Sequence, residues 1–121
     1  MKKETLNIDL SKKTLKAQLN GIAFKENDSH IIYLPSLQIS AYGDSFKEAN
    51  EMVKSSIHEF SKNLMKLPES KINSILKDLG WTKHKFFKKR LSNLSETTFD
   101  DIKKEFNLPD NTPVERIPIA V

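Results

Sequence analysis

The residues able to do chemistry are few in this sequence, and they are scattered. His30, His58 and His84 stand far apart, with no second His, Asp or Glu at a spacing that would place two ligands on one metal. The three glycines, Gly21, Gly43 and Gly80, are also widely separated, so there is no glycine-rich phosphate loop. No serine has the Gly-x-Ser-x-Gly setting of a nucleophile elbow. A two-metal nuclease needs several carboxylates converging on one metal pair. Asp9 lies in the first alternating segment, but the segments 14–24, 30–34 and 37–42 have no acid. The reading is therefore a chain with no catalytic residues, no metal site and no cofactor. The group that does stand out is a run of cations. "WTKHKFFKKR" (81–90) carries Lys83, Lys85, Lys88, Lys89 and Arg90 with no acid among them, a pattern able to meet phosphate.

The elements that must position these residues follow from the spacing of apolar side chains. "TLNIDL" (5–10) and "TLKAQLNGIAF" (14–24) alternate as strands do, with a change of phase at Asn20-Gly21 that predicts a bulge. "KENDS" (25–29) predicts a hairpin loop. "HIIYL" (30–34) is a strand ended by Pro35, and "LQISAY" (37–42) is the next strand. After Gly43, Ser45 and Glu48 predict a capping box, with Asp44 and Glu48 set against the positive end of the helix dipole. Phe46, Ala49, Val53, Ile57, Phe60 and Leu64 then form one apolar face along a long helix.

Pro68 opens a second helix, which buries Ile72, Ile75, Leu76 and Leu79 and ends at Gly80. Residues 82–92 fit either a helix or a short strand, and Trp81 reads as core. Thr98 caps a short helix facing inward through Phe99, Ile102 and Phe106, and "VERIPIAV" (114–121) is a last strand with Pro118 at an edge or at its end. The expected fold is α+β: a three- to four-stranded, mainly antiparallel sheet with a long helix on one face and a mostly helical insertion before the last strand.

The chain has 121 residues, a length that fits one domain spanning 1–121. It has no cysteine, no signal-peptide h-region and no apolar run of membrane-spanning length, which makes a cytoplasmic protein the expectation. Its net charge is +4, from 20 basic and 16 acidic residues.

"FKENDSHIIYLPSLQISAYGDSFKEANEMVKSSI" resembles the HicB-type antitoxin domain, through Pro35, Leu37, Gly43, Asp44, Ser45, Glu48 and Ala49. The final "VERIPIAV" resembles the strand that completes that family's sheet. The resemblance covers about residues 20–66 and, loosely, 114–121. It implies a degraded ribonuclease H-like fold without nuclease activity. It also implies a partner, a small mRNA-cleaving toxin blocked by direct binding, and assembly as a homo-oligomer. Many members carry an appended DNA-binding segment. Here the departures from the pattern are an extension at 4–19, an insertion at 67–113 and an end at Val121.

Two alternatives stand beside the toxin-binding reading. One is a nucleic-acid-binding regulator using 82–91, in which 72–91 forms a helix-turn-helix: Gly80 is at the turn, and Ile75, Leu79, Trp81 and Phe86 pack the pair. Leu76 and Lys89 fit that motif poorly. The other is a structural module with the family fold and no toxin partner.

Overall fold

The computed structural model describes residues 3–86, 89–93 and 98–121. The elements in chain order are β1 (Glu4–Asp9), β2 (Thr14–Glu26), β3 (Ser29–Leu34), β4 (Ile39–Gly43), α1 (Phe46–Leu64), α2 (Glu69–Asp78), β5 (Trp81–Lys83), β6 (Arg90–Asn93), α3 (Phe99–Glu105) and β7 (Val114–Ala120). The chain is α+β, but among the described residues seven strands, rather than the three or four expected, belong to one antiparallel sheet. The ladder runs β4-β3-β2-β1-β6-β5, and β7 pairs with β2.

β2 is the hub. Its residues 14–18 pair with β1, 22–26 pair with β3, and 18–24 pair with β7. Ala17 exchanges both backbone hydrogen bonds with Val121 (3.1 and 3.0 Å), which places β7 on one edge. Strand groups alternate in direction, so β1 and β3 must share the other edge, end to end. The gap between them is closed by side chains. Glu4 Oε2 accepts from Asn20 N at 3.0 Å and from Ser36 Oγ at 2.8 Å, and the Trp81 indole N–H donates to Ser36 O at 2.9 Å. Among the described residues Ser36 and Asn93 are the buried polar ones, and Asn93 Nδ2 donates to Leu79 O at 3.0 Å. A buried polar group is tolerated only with such a partner.

The predicted bulge at Asn20-Gly21 is absent, since the pairing with β7 runs unbroken from Gln18 to Phe24. The phase change has a different cause. Ala17, Leu19 and Ala23 face α1 and α2, within a core that includes Ile32, Leu34, Val53, Ile57, Ile72 and Leu76. Ile22 and Phe24 face the other way, into a second cluster with Tyr33, Ile102 and Leu108, flanked by Phe106. The middle of β2 is therefore buried on both faces. The single covering layer expected from the sequence is corrected accordingly: α1 and α2 cover one face and α3 covers part of the other. The Phe106 ring stands 5.0 Å from both Phe24 and Tyr33. The Tyr33 hydroxyl donates to Glu105 at 3.1 Å, and its burial beside that carboxylate pushes the phenol up to about 12.

Other details also differ from expectation. Leu37 lies in the turn 35–38 and is buried there, because β4 starts only at Ile39. Phe46 overhangs the end of the sheet at 44% exposure, and Phe99 is also exposed, stacked under the Arg116 guanidinium at 5.0 Å. Pro118 sits opposite Asn20, at a pair that exchanges no hydrogen bonds, so its missing N–H faces the outer side of an edge strand.

Candidate functional site

The joint that carries the family resemblance is structural. Ser45 Oγ accepts from Glu48 N at 3.1 Å and caps α1. The Glu48 carboxylate reaches past Ser45 and accepts from Asp44 N at 3.3 Å, so the box closes one residue earlier than predicted. Gly43 is required for space: a Cβ there would lie 2.7 Å from Ala49 N and 2.8 Å from Glu48 Cβ. Ala49 is fully buried beneath it, and Pro35 begins the turn after β3. Asp44, Ser45 and Glu48 are exposed, and the Ser45 hydroxyl and Glu48 carboxylate are committed to backbone N–H groups at the start of α1.

Where the sequence left helix and strand both open, the described part of the basic run contributes to two short strands. No second helix follows Gly80. That glycine takes φ 96° after the C-cap of α2, and the chain then forms β5, paired with β6. The helix-turn-helix is thereby excluded, and Phe86, assigned to its packing, is 78% exposed. Nor do the cations share one face. Lys83 pairs with Leu91, whose side chain enters the α1–α2 core, so Lys83 lies on the α2 side. Arg90 pairs with Asn7 and lies on the opposite side, because successive strand residues alternate. Lys85 sits 5.8 Å from the Phe86 ring centroid near the hairpin tip, and Lys88 lies outside the described residues.

On the α2 side the hairpin and the helix enclose a cleft of about 510 Å³. Its floor is Ile8, Ile72, Leu76 and Leu91; its rim is Asp9, Ser11, Glu69, Asn73, Lys83, His84 and Lys89. A second hollow of about 370 Å³ continues it, sharing Asn73, Lys83 and Leu91 and adding Lys77, Trp81 and Thr82. An apolar floor with a few polar groups on the rim is the usual form of a binding cleft. Sequence reasoning named Lys83 and Lys89 but missed the cleft, since its walls come from segments far apart in the chain. His84 reaches the rim, and its Nδ1 accepts from Phe86 N at 3.2 Å. His30 is on β3 and His58 is exposed on α1. Among the described residues no three His, Cys, Asp or Glu side chains gather as a metal site.

Asp9, the acid singled out by the nuclease comparison, is fully engaged. Its Oδ1 accepts from Ser11 Oγ at 2.6 Å, Ser11 N at 3.1 Å and Lys12 N at 3.2 Å, and its Oδ2 meets Lys89 Nζ at 3.0 Å. The Ser11 hydroxyl, then Lys89 and the Lys12 N–H, hold the carboxyl well below the usual carboxylate range. A depressed folded-state pKa stabilises the fold above the ordinary value of about 4, and that stability is lost as pH falls below it. Asp9→Asn should therefore flatten the acid side of the profile. Its melting temperature should fall less steeply than that of the native chain between about pH 4 and pH 2.

No family model, no curated protein and no solved structure matches this chain. No helix among the described residues is long and apolar enough to cross a membrane.

Proposed function

We propose that this chain is a non-catalytic protein-binding domain of the HicB-like type, holding a small partner protein such as an mRNA-cleaving toxin. The observation that carries protein binding is the cleft between α2 and the β5–β6 hairpin, which joins an apolar floor to a polar rim of mixed charge and to an outer strand. The family reading is supported by the antiparallel run of β2, β3 and β4, the Gly43–Ser45 joint into α1, and the return of β7 to β2. The test is co-expression with the product of the neighbouring reading frame. Relief of its growth arrest, with co-elution of the two proteins, is the expected result. A neighbour that neither binds nor harms the cell overturns the reading. So does metal-dependent RNA cleavage by the purified chain that disappears in Asp9→Ala.

A second reading, nucleic-acid binding, is favoured by one surface. On the side of the sheet away from α2, β2, β1 and β6 set Lys16, Asn7 and Arg90 in a row, and the next row is Gln18, Thr5, Ser92 and Thr82. Apart from Asp9 at the strand end, these described positions carry no carboxylate, a composition suited to a phosphate backbone. Duplex DNA or RNA retained at low salt should be released by the double change Lys16→Glu with Arg90→Glu. Binding indifferent to that change removes the sheet face as the interface.

A further inference from the structure

We propose that the cleft beside β5 takes an extended segment of the partner that combines apolar and acidic residues, added to the sheet as a further strand. This deepens the protein-binding reading and rests on it.

The register decides which backbone groups are on offer. Ile8 N donates to Lys89 O at 2.8 Å and His84 N donates to Arg90 O at 2.8 Å, so Lys89 and Leu91 turn their polar groups to β1 while Arg90 and Ser92 turn theirs to β5. Thr82 and His84 answer them. The N–H and C=O groups of Trp81 and Lys83 consequently point outward, along the outer edge of β5. The second hollow lies beside this strand, lined by Trp81, Thr82 and Lys83 together with Asn73 and Lys77 of α2 and Leu91 of β6. An added strand supplies main-chain bonds for affinity and pockets for alternate side chains.

Charge selects the segment. Lys77 and Lys83 line the second hollow, whose lining holds no carboxylate, and the Asp9 carboxylate at the first is already engaged by Lys89 and Ser11. One set of side chains of the incoming strand would descend toward Leu76 and Leu91, which calls for apolar residues. Lys77 and Lys83 stand on that same side, which calls for acids beside the apolar residues. A cleft formed of two hollows in series suits a chain better than a compact small molecule.

The test is selection of a displayed random heptapeptide library on the folded chain. Enriched peptides should combine apolar and acidic residues. Their affinity should fall at least tenfold in Asn73→Trp, which fills the part common to both hollows, and in Lys83→Glu, with melting temperatures unchanged. Lys83→Pro removes only an outward N–H and should also abolish binding. Enrichment of basic peptides, no enrichment, or binding that survives Asn73→Trp and Lys83→Glu overturns the proposal. If the neighbouring gene product still binds Asn73→Trp at full strength, the segment proposal falls and the protein-binding reading stands. If that product binds no form of the chain, the protein-binding reading itself falls.

Discussion

Trp81→Ala should lower the unfolding free energy by about 3–5 kcal/mol, the usual cost of removing a large buried aromatic side chain. Trp81 is the sole tryptophan and is 3% exposed. It packs into the main core where β5 meets α2, and its indole N–H holds the Ser36 carbonyl at 2.9 Å. That carbonyl belongs to the turn between β3 and β4, so a single side chain ties the hairpin to the far half of the sheet. Trp81→Phe separates the two contributions. It keeps most of the apolar contact and leaves a buried carbonyl without its donor, at a cost of about 1–3 kcal/mol. Urea denaturation followed by far-ultraviolet circular dichroism measures both variants without relying on tryptophan fluorescence. A Trp81→Ala variant within about 1 kcal/mol of the native chain would contradict the packing described.

Gly43→Ala should also destabilise, by about 1–3 kcal/mol, as overpacking does. The sign is informative. A glycine within a strand ordinarily costs stability relative to alanine, and exchange at a compatible site gains about 0.4–1 kcal/mol. At Gly43 the new methyl would meet the Ala49 backbone nitrogen at 2.7 Å, and a backbone atom in the first turn of a helix cannot rotate aside. Ser45→Ala, which removes only the cap at the same joint, should cost about 1 kcal/mol. Thermal melts of the two variants order them, and a Gly43→Ala variant more stable than the native chain would refute the close approach of β4 to α1.

The sequence was most legible where an element buries one face. The period of α1 and the caps at Ser45 and Thr98 are physical signals confined to a few neighbouring residues, and they appear where expected. The Gly80 terminus is of the same kind. The phase change in β2 misled because alternation reports burial on one face, whereas Ile22 and Phe24 are covered by a helix lying more than seventy residues further on. β5 and β6 are three and four residues long, too short to establish a period, so the lysines around them resembled a helix surface. The candidate site was the least legible part. Ile8, Ile72, Leu76 and Leu91 read correctly as apolar, but nothing local shows that they form the floor of one cleft.

The position of β7 on β2 governs the order in which the molecule can be completed. Gln18 pairs with Ala120 and Phe24 pairs with Val114, joining one of the earliest elements to the last in chain order. During synthesis β2 can acquire β1 and β3 soon after it emerges, but its other edge, with Leu19 and Ala23, must wait until residues 114–121 have been made. A nascent strand held open in this way is the kind of edge at which misfolding begins, and long-range pairing of this sort slows folding. Refolding should accordingly be limited by docking of β7, and the amides of Leu19, Gly21 and Ala23 should be the last in β2 to gain protection from hydrogen exchange.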